Sequence, residues 1–384
     1  EPVVAELYPE PDDFAVRTSG LPGIGLLGVT FGYLMAMHSP SGRDSDYHWG
    51  TTLWHEMAHV FTLEATNHLV PRWFSEGVSV FEEWSTGPRP GRHVPMQVLD
   101  AMEEDKFLSI VELDSGFIRP AYQGQVIVSY MQAGLICQYI DRNWGQQGLV
   151  DLLQLYRDGL DTGEAIAQGL GVSPEEFDGG FRAFIESEFR PTLDALDEWR
   201  ERIEAGYEAA SDGDWDRAVE SSAAAMELYP GYVEEGNAYV LNAKAHEELE
   251  QNEAVIETLE AYWRLGGFEP GVLHQLADWL YQAGRPADAI AVLKDVIFAA
   301  PLDETLHTKL GDWLLESDMA APALREYQAL LAMNPYDQAA AHYRLATTYR
   351  KLEDDAKTRE HLLYALETAP HYREAQQLLL EILR

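Results

Sequence analysis

Cysteine is almost absent from this chain. Cys137 stands alone, so no intrachain disulfide can form, and its apolar helical surroundings suit a small buried hydrophobe better than a nucleophile. Redox chemistry therefore leaves the compartment open. Long apolar runs are missing too. No stretch of 18 apolar residues occurs, and Leu21 to Met37 is broken by Pro22 and several glycines, which excludes a membrane-spanning helix. Lysine is scarce, with six among 27 basic residues against 65 acidic ones. The resulting net charge of −38 repels phosphate, which argues against nucleic acid and anionic lipid as partners. A salt-adapted surface and an ordinary acidic, soluble one both fit this balance.

At 384 residues, 46% of them hydrophobic, the chain has room for two or three domains with real cores. It begins at Glu1 rather than Met, which leads to the expectation of a removed leader or upstream segment. With that, a periplasmic or cell-envelope setting is favoured over a cytoplasmic one.

The most informative stretch runs from Trp54 to Glu83. It holds His55-Glu56-Met57-Ala58-His59, and Glu76 follows after 16 intervening residues, within Trp73-Phe74-Ser75-Glu76-Gly77. Residues four apart share a helix face, so both imidazoles can reach one ion. Glu76 from a second helix completes three ligands, which leaves a fourth position for water. The expectation is one zinc ion per chain, held by His55, His59 and Glu76. Glu56 would act as general base toward a water activated by the metal.

Trp73-Phe74-Ser75-Glu76-Gly77-Val78-Ser79, with Glu83 beyond, resembles the third-ligand helix of gluzincin metallopeptidases, W-[LF]-x-E-G-x-A-x-x-x-E. Ser79 stands where that family often has alanine. The first half of the chain resembles the bacterial peptidase-MA-like family, whose members commonly carry tetratricopeptide repeats behind the protease domain. That resemblance implies zinc binding by His55, His59 and Glu76, with Glu56 as base. It also implies that the strand-like segment Gly28 to Met35 pairs with substrate backbone. Pro120-Ala121-Tyr122-Gln123-Gly124 resembles the P-Y-E-x-G element of aminopeptidase-like gluzincins, which implies Tyr122 as the oxyanion donor. Tyr130 is the alternative. No segment like G-A-M-E-N precedes the metal helix, which favours endopeptidase over aminopeptidase action.

In chain order, Val3 to Leu7 reads as a strand, Phe14 to Arg17 as a second short element, and Gly20 to Gly28 as a loop. Val29 to Met37 has strand composition, which Gly32 weakens. His48 closes a polar segment and is open to two readings, a side chain at the metal cleft or, more commonly for a lone loop histidine, a solvated one. The metal helix is expected over about 51–64 behind a threonine N-cap, and a helical part over about 96–190. Within it, one helix is expected to run from Pro120 to about Asn143, and Ser173-Pro174-Glu175-Glu176 reads as a capping box. Phe189-Arg190-Pro191 reads as a boundary. Beyond it, prolines recur at 230, 270, 301, 335 and 370, with separations of 40, 31, 34 and 35 residues. A period near 34 with alanines and glycines in register is the tetratricopeptide pattern.

The expected architecture is thus an α+β metallopeptidase domain over 1–194, comprising a short sheet, the H-E-x-x-H helix and a helical subdomain. An all-α tetratricopeptide solenoid follows over 195–384, with about five repeats and a terminal capping helix from His371. The expected function is zinc-dependent peptide hydrolysis, with a peptide or protein substrate and a protein partner on the concave face of the repeats. Two alternatives stay open: a non-catalytic interaction protein with a structural metal, and a zinc hydrolase of a non-peptide amide or ester.

Overall fold

The computed structural model describes residues 2–20, 26–42, 47–89 and 91–383. The chain forms two compact units, Glu1–Phe268 and Glu269–Arg384. The first opens with β1 (Val4–Tyr8) and α1 (Pro11–Ser19), then β2 (Gly28–Phe31) and β3 (Leu34–His38). The expected element at Phe14 to Arg17 is part of α1, which begins at Pro11 with Asp12 and Asp13 in its first turn. Phe14 is fully buried and packs its ring 4.5 Å from that of His38.

The sheet order is β1-β3-β2, with β1 parallel and β2 antiparallel to β3. The segment Val29 to Met37 is therefore not one strand. It folds back at Gly32, whose φ of 64° is open to glycine, so that Phe31 faces Leu34 across a two-residue turn. Residues 21–25 of the expected loop lie outside the described residues.

Helices make up the rest of this unit. They are α2 (Trp49–Ala65), α3 (Arg72–Ser85), α4 (Met96–Glu103), α5 (Leu113–Ile118), α6 (Gln125–Arg157), α7 (Thr162–Gly169) and α8 (Pro174–Asp212). The N-cap of α2 is His48, not a threonine; its Nδ1 accepts from the Thr51 N–H at 3.0 Å. The long helix expected from Pro120 starts only at Gln125, after Gly124, and bends at Gly145. The capping box at Ser173 and Glu176 is formed at the start of α8. Trp73, Phe74, Leu135, Tyr156 and Phe177 form the middle of the core.

Helix α8 runs straight through the expected boundary, with Pro191 in its interior. Proline removes one backbone hydrogen bond there. Phe189, Leu193, Leu196 and Trp199 keep helical spacing across it, and all four are buried. Their burial outweighs the lost bond. Helices α9 (Trp215–Leu228), α10 (Ala238–Glu248) and α11 (Asn252–Arg264) then pack in sequence against α8 and one another. Their connecting segments are tied to earlier parts of the unit: Trp199 of α8 meets Tyr232 at 4.9 Å between ring centres, and Arg89 beyond α3 reaches Glu234 at 2.6 Å and the Gly266 carbonyl at 2.7 Å.

The second unit consists of three helix pairs: α12 (Pro270–Gln282) with α13 (Pro286–Ala299), α14 (Glu304–Glu316) with α15 (Ala320–Ala332), and α16 (Gln338–Lys351) with α17 (Asp355–Thr368). α18 (Arg373–Ile382) closes the row. The first helices of the three pairs start 34 residues apart. Ala277, Ala289, Ala323, Ala346 and Ala365 are fully buried, where only a small side chain lets two helices of a pair approach. Successive pairs are joined by Lys309–Asp278 at 2.8 Å and Arg344–Asp312 at 3.1 Å. No described helix is long and apolar enough to cross a membrane.

A chain ending at residue 194 would cut α8 and strip Trp199, Glu234 and Gly266 from their partners. A 1–268 chain is expected to melt cooperatively, while a 1–194 chain binds a hydrophobic dye and melts without a sharp transition. Circular dichroism and dye fluorescence on the two chains check this.

Candidate metal centre

Helix α2 carries His55 and His59 one turn apart, and α3 packs against it. The entry to α3 is fixed by Pro71 and by Asp114, whose carboxylate accepts from the Trp73 N–H at 2.7 Å. Glu76 then lies opposite both imidazoles. His55 Nε2 is 3.2 Å and His59 Nε2 is 3.1 Å from Glu76 Oε2, and the two ring nitrogens are 3.1 Å apart. Ligands about 2.1 Å from one tetrahedral zinc stand roughly 3.4 Å apart, so this triangle and its donor set fit such an ion. His55, His59 and Glu76 are a candidate metal-holding group among the described residues.

The other face of each imidazole is occupied as well. His55 Nδ1 lies 2.5 Å from Glu83 Oε1, about two turns beyond Glu76 on α3. His59 Nδ1 lies 2.8 Å from Ser75 Oγ and 3.3 Å from Ser79 Oγ, and Thr62 Oγ1 is 2.8 Å from Ser75 Oγ. Such partners fix ring orientation and tautomer. Burial works against a charged His55, yet its hydrogen bonds to Glu76 and Glu83 hold its pKa well above the usual histidine value. For Glu76, burial is likewise outweighed by the two histidines, and its pKa falls far below the carboxylate range.

The triangle opens into a cavity of about 450 Å³. Strand β2 forms one wall, and Glu56, Arg72 and Tyr130 line it as well. Glu56 is only 4% exposed. The Tyr130 ring is 6.1 Å from that of His55; burial first, then Glu76, raises its phenol pKa, with Arg72 opposing. Arg72 Nε sits 3.3 Å from Glu76 Oε1.

Tyr122 is not part of this wall. It precedes α6 in the turn before Gly124, with the Lys106 ammonium 5.0 Å from its ring centre. Tyr130, eight residues further on and within α6, is the tyrosine that reaches the cavity. His48 also stays out of the cavity. It caps α2 and faces the Phe268 ring at 5.6 Å, and Arg89 stacks on the same ring. Cys137 is fully buried, and burial pushes its thiol pKa up.

Arg72 carries no signal in the sequence, and Ser75 and Ser79 fall within the quoted pattern without their hydroxyls being marked by it, since hydroxyl and guanidinium groups are common on helices. Glu83 sits at the last position of the W-[LF]-x-E-G-x-A-x-x-x-E pattern and could have been singled out there.

Residues 41–187 match the family model of the Peptidase MA superfamily. Residues 195–335 match that of the Bacterial transcriptional activator domain. No curated protein matches the chain. Among solved structures, YrrB, described as a TPR protein with an unusual peptide-binding site, is similar at 21% identity, with a TM-score of 0.37 over 49% of this chain and 96% of that one. The MamA protein is similar at 16% identity, TM-score 0.34, over 46% and 94% of the two chains. A thermophilic TPR protein of Thermus thermophilus is similar at 19% identity, TM-score 0.27, over 48% and 98%. The repeat architecture rests on the chain's own helix pairs. The chain joins a region similar to the Peptidase MA superfamily to a helical-repeat region.

His48 yields a pH prediction. Burial and then Arg89 lower its pKa to about 4 from 6.5. The folded value lies below the unfolded one, so the unfolded chain binds more protons between them. Stability is complete above about pH 6.5, declines as pH falls toward about 4, and changes no further from this group below that. The full span is at most about 3 kcal/mol. Urea titrations at pH 7 and pH 4.5 should show a smaller acid loss in His48→Asn, which keeps a capping side chain without a titrating ring.

Proposed function

We propose that the 41–187 region is a zinc-dependent peptidase acting within peptide chains, with zinc held by His55, His59 and Glu76. The observation that supports this most is the triangle of donor atoms opening into the cavity that also holds the Glu56 carboxylate. Zinc, when bound, supplies Lewis-acid activation of water and of a scissile carbonyl. Glu56 takes the proton of the attacking water onto a carboxylate oxygen and delivers it to the leaving amine. The Tyr130 hydroxyl, in place of Tyr122, donates to the developing oxyanion. Arg72 keeps Tyr130 and Glu76 in mutual position. The free edge of β2, which pairs only with β3 among the described residues, receives the substrate backbone as an added strand.

The helix pairs extend this reading to a protein or peptide partner held by the repeats. The match to a transcriptional activator domain covers repeat helices, and the charge of −38 argues against extending it to DNA.

Elemental analysis should find about one zinc per chain in the wild type and almost none in His59→Ala or Glu76→Ala. Glu56→Gln should keep the zinc and lose at least about 10²-fold in peptide turnover. Unchanged turnover in that variant would sink the assignment of the base.

For the oxyanion, Tyr130→Phe should lower kcat about 10²-fold with little change in KM, while Tyr122→Phe stays close to wild type. Steady-state kinetics on one short peptide separate the two; the reverse pattern would return the role to Tyr122.

A further inference from the structure

Strand β2 does more than border the cavity: it grips Glu56. The Thr30 hydroxyl lies 2.6 Å from Glu56 Oε2 and 3.0 Å from the Glu56 main-chain oxygen. A hydroxyl has one proton, and the shorter contact to the carboxylate takes it. Two residues back on the same strand, Gly28 faces the same side chain. A Cβ at Gly28 would stand 2.6 Å from both Cγ and Oε1 of Glu56, closer than non-bonded atoms approach. One oxygen of the carboxylate is thus held by Thr30, and the other packs against the bare backbone at Gly28. Alternation along a strand puts residues 28 and 30 on one face, so a single short strand supplies both contacts.

This strand is also the sheet edge along the cavity, paired among the described residues with β3 alone. Its anchoring is local: Gly28 pairs with Met37 and Phe31 with Leu34, and the turn at Gly32 ends it. The base is consequently oriented by the strand that faces the substrate, not by its own helix alone.

We propose that Thr30 is the positioning residue for Glu56, fixing the carboxylate that receives the proton; this rests on the peptidase reading above. In this role the Thr30 hydroxyl acts through Glu56 and makes no bond to the metal-holding side chains. A base displaced by about 1 Å loses much of its effectiveness, so the loss belongs to kcat. Because the side chain lies on the cavity wall and not among the donor atoms, metal binding is spared.

The test compares Thr30→Val, which keeps size and branching without the hydroxyl, with Thr30→Ser, which keeps the hydroxyl. Zinc content by elemental analysis, Tm, and kcat and KM on one short peptide are measured for each holoenzyme. The valine variant is expected to retain zinc and KM within about twofold while kcat falls about tenfold, and the serine variant to recover to within about threefold of wild type. Wild-type kcat in Thr30→Val overturns the proposal. So does a serine variant as slow as the valine one, or a loss that follows zinc content. If wild type cleaves no peptide, the peptidase reading itself fails; if Glu56→Gln cleaves as well as wild type, the assignment of Glu56 as base fails. The crystal structure of Thr30→Val then decides the positioning alone: a Glu56 carboxylate that leaves its present place supports it, and an unmoved one overturns it.

Discussion

Helices α3 and α6 approach each other at two glycines, and the cavity depends on that contact. A Cβ on Gly77 would lie 2.7 Å from the Ala133 carbonyl oxygen, and one on Gly134 would lie 2.6 Å from a Val80 methyl. Only with both side chains missing can the helices lie this close. Glu76 directly precedes Gly77, and Tyr130 is one turn before Gly134. The close approach therefore brings the third donor and the phenol to the same wall, while α3 also packs on α2. Widening the gap by one methyl group on either helix would move Glu76 relative to both histidines.

Around that contact the polar groups divide into two kinds of support. Glu83 gives His55 a carboxylate partner, whereas His59 meets hydroxyls, those of Ser75 and Ser79, with Thr62 behind Ser75. Ser79 is thus more than a small residue standing where alanine is common. Glu56 takes its contacts from the sheet, through Thr30 and Gly28 of β2. The sheet is small because its task is local: one buried strand, β3, holds an edge strand against α2.

The repeat-like helices α9 to α11 belong to the same compact unit as the cavity. Arg89 is central to this association. Its side chain is 13% exposed, bonds Glu234 and Gly266, and stacks 4.2 Å from the centre of the Phe268 ring. Phe268 in turn faces His48, the cap of α2. The N-terminus of the helix bearing both histidines is therefore braced by a ring far along the chain.

The sequence by itself determined the pieces whose geometry is short-range. His55 and His59 share a face because of the helical period, Ser173 and Glu176 cap α8 because their spacing matches its first turn, and the 34-residue recurrence reappears in the starts of α12, α14 and α16. Where a competing long-range term existed, tertiary structure decided. Pro191 signals a break, yet the buried stripe from Phe189 to Trp199 carries α8 through it. Val29 to Met37 has the composition of one strand, but the pairing of Phe31 with Leu34 closes it into a hairpin. Tyr122 matches a local pattern, but the place where α6 begins, set by the turn at Gly124, puts Tyr130 in the cavity instead. The meeting of Thr30 with Glu56 had no trace in the chain, since 26 residues separate them and only the packing of β2 on α2 brings hydroxyl to carboxylate.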